Sequence, residues 1–177
     1  ISICARDRQA GDTVHASYSA AALPYGSVLC EKPFSEASGD GRSLELCQAL
    51  AEEKNAERFG LELPLAVVAR EMLNRKQIRS RFDRADHVKI LWAADIRRRH
   101  MVVNDLALHP WSLLYPSFDI EVVRAEDIKD GARIDLGLKH RRSGRRIDGC
   151  IVLAGSGNLR GIELDGTTIF FEVTPEG

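Results

Sequence analysis

A lysine, an aspartate and a histidine in this sequence are of the types that together move a proton beside a polarised oxygen. Lys32 stands in Glu31-Lys32-Pro33, directly after the short apolar run Ser27 to Cys30. As a strand of a parallel sheet, that run would deliver the lysine to the carboxyl edge, where open α/β sheets bind their ligands. Asp105 and His109 stand in Asn104-Asp105-Leu106-Ala107-Leu108-His109-Pro110, continued by Trp111-Ser112-Leu113-Leu114. Residues at i and i+4 share a helix face, so the two side chains are predicted to project together. Pro110 leaves an alternative open: proline disfavours helical geometry in the residue before it, so His109 at a helix start need not stack with Asp105. An imidazole titrating near neutrality takes or gives a proton. An ammonium group favours negative charge on an oxygen it holds, and a carboxylate orients the imidazole or meets another hydroxyl.

These groups need a scaffold, and the apolar patterning outlines one. Ile1 to Cys4 reads as the end of a buried strand, Ala5 to Asp12 as a loop, and Thr13 to Leu23 as a helix stopped by Pro24 and Gly26. With the strand Ser27 to Cys30, this is one βαβ crossover and hence a parallel sheet. Ser43 to Lys54 places Leu44, Cys47, Leu50 and Ala51 on one helical stripe, Phe59 to Leu63 reads as a strand, and Pro64 opens a helix through Leu73. A hand-over between domains is expected in residues 55–63, giving domains 1–60 and 61–177. Beyond it, His87 to Ala94 and Ile120 to Arg124 read as strands and Asp105 to Tyr115 as a helix complicated by Pro110. The runs Arg133 to Lys139, Arg146 to Leu153, Asn158 to Leu164 and Thr167 to Val173 are separated by Arg142-Ser143-Gly144, Gly155-Ser156-Gly157 and Asp165-Gly166. Those separators have hairpin chemistry, so the runs are predicted to form an antiparallel meander with helices on one face.

The bulk properties exclude several classes. A chain of 177 residues, 44% hydrophobic and 29% charged, can bury a proper core, and its net charge of -1 gives no broad attraction to nucleic acid or anionic membrane. Basic clusters at Arg75 to Arg84, Arg97 to His100 and Lys139 to Arg146 are read as solvated surface, so no nucleic-acid partner is expected. No apolar run approaches the roughly 20 residues that span a bilayer, so no membrane partner is expected either. The four cysteines, Cys4, Cys30, Cys47 and Cys150, show no Cys-x-x-Cys or His/Cys clustering. They are expected to be reduced thiols in a cytoplasmic protein, with no metal site.

Ser2-Ile3-Cys4, an alanine-rich helix and then Val28-Leu29-Cys30-Glu31-Lys32-Pro33 resemble the fourth and fifth strands of the nucleotide domain of the glucose-fructose oxidoreductase/inositol dehydrogenase (Gfo/Idh/MocA) family. Asp105-x-x-x-His109 resembles that family's second catalytic element. The resemblance implies an α/β plus α+β fold: a partial Rossmann-like parallel sheet, then a C-terminal domain with an open antiparallel or mixed β-sheet and helices on one face. It implies hydride transfer between NAD or NADP and a sugar, polyol or related hydroxylated or carbonyl compound. By resemblance His109 is the general acid/base, Lys32 the cation positioning substrate and cofactor, and Asp105 its acidic companion. Cys4, Ala5, Glu31, Lys32 and Pro33 are likewise implied to line the cofactor.

The sequence also departs from the family. It has no glycine-rich phosphate loop between a strand and a helix, and Gly155-Ser156-Gly157 is read as a turn in the late β region. The expectation is therefore of a fragment or trimmed relative lacking at least the first three strands of the nucleotide domain, inactive by itself. Ala5-Arg6-Asp7-Arg8-Gln9 replaces the start of the family's Thr-Pro-x-x-x-His loop, with His15 standing for its histidine, and Glu62-Leu63 replaces an Arg-aromatic pair. A non-catalytic regulatory or protein-binding module of the same fold is the alternative. Ile147, Ile151 and Leu153, with Ile169, Phe171 and Val173, give sheet faces that need cover, and a homodimer or homotetramer through that sheet is expected.

Overall fold

The computed structural model describes residues 2–3, 15–30, 45, 48–50, 52, 57–61, 71, 74–96 and 102–173. The chain divides into two compact units, Ile1–Leu63 and Pro64–Gly177.

In the first unit, β1 (Ser2–Ile3), β2 (Val28–Cys30) and β3 (Phe59–Leu61) form a parallel sheet in that order. Between β1 and β2 runs α1 (His15–Ala22), which tightens into a 3-10 turn over Leu23–Tyr25 with Pro24 in its first turn. Proline cannot continue the i to i−4 ladder, so the helix ends there and Gly26 leads into β2. Leu23, Val28, Cys30 and Leu50 form this unit's core, with Phe59 packed against it. Leu50 belongs to the apolar stripe read in Ser43 to Lys54. The Arg58 guanidinium donates to the carbonyl of Leu23 at 2.5 Å, linking the start of β3 to the end of the crossover.

The second unit is a mixed six-stranded sheet. Its strands are β4 (His87–Ala93), β5 (Phe118–Ile128), β6 (Gly131–His140), β7 (Arg146–Ala154), β8 (Leu159–Leu164) and β9 (Thr167–Val173), ordered β5-β6-β7-β4-β8-β9. Helices whose bounds fall among the described residues are α2 (Lys76–Arg84), α3 (Val102–Leu106) and α4 (Leu108–Leu114). Val88, Ile90, Trp92, Ile134, Leu136, Leu138, Ile147, Ile151 and Leu153 from the strands meet Phe82, Val102, Leu106 and Leu114 from the helices in one core. Period-two alternation makes this possible: in β6 each of Ala132, Ile134, Leu136, Leu138 and His140 is buried and the residues between them are not.

Three features differ from the meander read in the sequence. First, β4 sits between β7 and β8, parallel to the former and antiparallel to the latter, so the sheet is mixed. Second, Gly155-Ser156-Gly157 is not a hairpin turn, because β7 and β8 are not neighbours. This connection steps over the end of β4 and is tied to it by Ile96 N–H to Gly155 O at 3.0 Å and Gly157 N–H to Asp95 Oδ1 at 2.9 Å. Third, β5 is much longer than Ile120 to Arg124, pairing from Phe118 opposite His140 to Ile128 opposite Gly131, with an irregularity between Val122 and Arg124.

The helix α2 was not expected from the pattern. Six of its nine residues are charged or amide-bearing, but Ile78 and Phe82, four apart, supply its inward face. Ile147, Ile151 and Leu153 lie on the face that the chain's own helices cover. Among the described residues, no helix is long and apolar enough to cross a membrane.

Candidate functional site

His109 is held where a helix is interrupted. The helical run from Val102 divides at Ala107, although Ala107 is itself helical (φ −60°, ψ −34°) and its N–H still bonds to Val103 O at 2.9 Å. Pro110 explains the division, since it has no N–H to offer the carbonyl of Leu106 four residues earlier. Trp111 N–H resumes the ladder on Ala107 O at 3.1 Å. His109 is thus the second residue of α4 and Asp105 the last but one of α3, within one nearly continuous helical path. The hydroxyl of Ser112 donates to His109 O at 2.8 Å, satisfying a carbonyl in the first turn.

The half-buried His109 imidazole stacks on the indole of Trp92, with ring centroids 5.2 Å apart and planes inclined by 10°. Trp92 is 6% exposed and stands on the inner face of β4 with Val88 and Ile90. Its register partner on β8 is Arg160, whose guanidinium carbon lies 5.0 Å from the indole centroid. Directly paired residues of adjacent strands share a face, so imidazole, indole and guanidinium form one contact series beneath the helices.

Neither Trp92 nor Arg160 was read from the sequence as part of a site. The alternation in His87 to Ala94 places Trp92 on the covered face. Its pairing with Arg160 joins segments that no local signal connects.

The first unit holds the other resemblance. The structure ends β1 at Ile3 and β2 at Cys30, and these are register partners in a parallel pair. Ile3 and Cys30 therefore lie at the same edge of the sheet. Cys4, Ala5, Glu31, Lys32 and Pro33 lie outside the described residues, as does the side chain of Asp105. His15 begins α1 and is 1% exposed, packed inside the unit.

On the sheet face opposite the core, Lys89 Nζ pairs with Glu163 Oε2 at 3.0 Å and Arg133 Nε with Asp135 Oδ1 at 2.9 Å. The bond to Asp135 strengthens the hold of Arg133 on its proton. Cys150, cross-strand partner of both Lys89 and Asp135, is a buried free thiol among these charges. Burial pushes its pKa up, and the nearby Arg133 only partly offsets this.

Cavities open elsewhere. Those of about 300 and 420 Å³ share Arg81, Arg84 and Ile169, and one of about 370 Å³ is lined by residues including Asp119, Glu121, Lys139 and Asp148. Among the described residues, no group of three or more His, Cys, Asp or Glu side chains is placed to hold a metal ion.

No family model matches the chain, and no curated protein matches it. Solved structures do. An oxidoreductase from Agrobacterium radiobacter, solved in complex with NAD+, L-tartaric acid and magnesium, is 13% identical over 86% of this chain and 50% of that chain, with a TM-score of 0.50. A putative oxidoreductase from Magnetospirillum magnetotacticum MS-1 is 17% identical over 85% of this chain and 50% of that one, with a TM-score of 0.41. A dehydrogenase (MviM) from Clostridium difficile is 14% identical over 98% and 61%, with a TM-score of 0.43. The likeness to the Agrobacterium radiobacter protein shows a shared fold, in keeping with the mixed sheet and helices described above. This chain spans half the length of that neighbour.

Proposed function

We propose that this chain is part of a nicotinamide-dependent oxidoreductase of the Gfo/Idh/MocA type, moving a hydride between NAD or NADP and a sugar, polyol or related hydroxylated or carbonyl compound. The observation that carries the reading is His109: a half-buried imidazole at a helix interruption, stacked on Trp92, in a fold shared with an oxidoreductase that was solved with NAD+. The parallel pair β1–β2 supports it from the other unit, since Ile3 and Cys30 end in register and ligands of open α/β sheets bind outside the carboxyl ends of such strands.

The segments that start at Cys4 and Glu31 would hold the dinucleotide, which would supply the hydride acceptor or donor. The phosphate loop that would complete its site has no counterpart in this sequence. This chain's own residues manage oxygen and proton. As an alcohol is oxidised, carbon gives up a hydride and the hydroxyl gives up a proton, which His109 accepts and returns in the reverse direction. Lys32 holds the substrate oxygen as negative charge develops there, and Asp105 accompanies it on another hydroxyl. The protein works in the cytoplasm as a homodimer or homotetramer, through the sheet face that the helices leave open.

The test is a screen of NAD and NADP against sugars and polyols with the complete protein, comparing wild type with His109→Ala and Lys32→Ala. Turnover by wild type and its loss in both variants is the expected result. Turnover retained in both variants removes the site assignment, and no turnover with either cofactor removes the enzymatic reading.

A further inference from the structure

We infer that Trp92 is a positioning residue for His109, setting the plane of the imidazole, and that Arg160 anchors the indole from the neighbouring strand; the inference rests on His109 being the acid/base.

Trp92 is firmly held. Trp92 belongs to a central strand bonded on both sides, to β7 opposite Leu153 and to β8 opposite Arg160. It is 6% exposed, and a buried indole in a close-packed core has little freedom about its two side-chain torsions. Its face is also engaged by the Arg160 guanidinium at 5.0 Å. His109 has a pinned main chain, because Pro110 follows it and Ser112 bonds its carbonyl at 2.8 Å. Its ring is only half-buried, and the final torsion of a histidine is broad. The stack on the indole fixes the plane in which that ring lies. Centroids 5.2 Å apart and planes within 10° lie in the range where aromatic rings attract beyond mere burial.

The geometry has a chemical consequence. With one imidazole face against the indole, both ring nitrogens lie in a plane parallel to that indole. A hydroxyl gives up its proton along a nitrogen lone pair, which lies in the ring plane, so a substrate must approach His109 edge-on. A ring free to swing would present that lone pair in the productive direction only part of the time, and small errors of placement are costly to proton transfer.

The test uses the full chain for spectroscopy and the complete protein for kinetics. In proton NMR the Cε1–H signal of His109, assigned by its loss in His109→Asn, is expected upfield of an exposed histidine. It should move downfield in Trp92→Leu, move partly in Arg160→Gln and stay in place in Trp92→Phe and Arg160→Lys. In kinetics Trp92→Leu is expected to lower kcat by about 10- to 100-fold with KM changed less than about threefold, and Trp92→Phe to restore most of it. Arg160→Gln, which leaves the core side chains intact, takes the place of Trp92→Leu if that variant fails to fold, with a smaller fall in kcat. A His109 signal unmoved by Trp92→Leu or Arg160→Gln overturns the inference, as does an unchanged kcat or a loss that phenylalanine does not rescue. If His109 proves dispensable for turnover, the NMR arm still reports whether the indole sets its ring, so the two failures are distinguishable.

Discussion

Nε2 of His140, at the end of β6, lies 2.9 Å from Oδ1 of Asp83 on α2, fastening the sheet to the basic helix. Nδ1 of the same ring accepts from Ser143 N–H at 3.3 Å, which leaves the proton on Nε2 to be donated to the carboxylate. The ring also meets Phe118 edge-on at 5.3 Å. His140→Ala removes all three contacts from a buried position and is expected to cost about 2–4 kcal/mol in urea unfolding. Asp83→Asn keeps an acceptor oxygen at the same place and should cost under about 1 kcal/mol. Equal losses in the two variants would contradict this account of the contact.

Two glycines of β6 make opposite predictions. A Cβ on Gly131 would overlap the carbonyl of Leu153 on β7, whereas a Cβ on Gly137 would meet nothing closer than 3.7 Å. Gly131→Ala must push backbone from backbone where the β6–β7 ladder begins, and a loss of about 2 kcal/mol or more is expected. Gly137→Ala should be neutral or stabilising by up to about 1 kcal/mol, because alanine has fewer unfolded conformations to lose. Denaturation midpoints of the two variants, measured side by side, decide it.

Asp165 combines two roles in the β8–β9 turn. It adopts φ 50° and Gly166 φ 76°, the two positive values that a tight hairpin of this kind requires. Its Oδ1 also accepts from the N–H groups of Asp86 and His87 at 2.9 and 2.8 Å, capping the start of β4. Asp165→Ala loses the acceptor and puts alanine in the left-handed region, so a cost of about 1–3 kcal/mol is expected. Asp165→Asn keeps both features and should lose less than half as much. A thermal melt of both variants is sufficient.

The thiol of Cys150 makes stability depend on alkaline pH. Its pKa is raised above the ordinary 9.0, first by burial, so the folded state holds the thiol proton more tightly than the unfolded state does. A group with a raised folded pKa contributes fully below the unfolded value, and that contribution is lost as pH rises through the folded value. Stability should therefore decline above about pH 9, and Cys150→Ala should show a shallower decline over the same interval. Urea midpoints at several alkaline pH values test this, and parallel curves for the two proteins would contradict it.

Much of the second unit was legible because its strands obey strict alternation and its turns carry specific residues. The buried sequence Ala132, Ile134, Leu136, Leu138 appears directly as period two, and Asp165-Gly166 announced its hairpin. The insertion of β4 between β7 and β8 was not legible. It pairs Trp92 with Leu153 and Arg160, residues more than sixty positions away, and that choice is made by packing of the whole sheet. Gly155-Ser156-Gly157 has the same local chemistry whether it turns between neighbours or steps over a strand. In α2 charged residues outnumber the apolar face, so Ile78 and Phe82 alone gave too weak a period. At the candidate site, a helix complicated at Pro110 was legible, and the helical path is interrupted there. The stack on Trp92 depends on tertiary placement that spacing cannot encode.

Transfer of deuterium from a substrate labelled at its carbinol carbon is the most direct check on the dehydrogenase reading. In the complete protein the label should appear on the nicotinamide ring, and His109→Asn should slow its arrival by about 100-fold or more without preventing cofactor binding. Label that never reaches the nicotinamide, or reaches it as fast in His109→Asn as in wild type, would contradict the account.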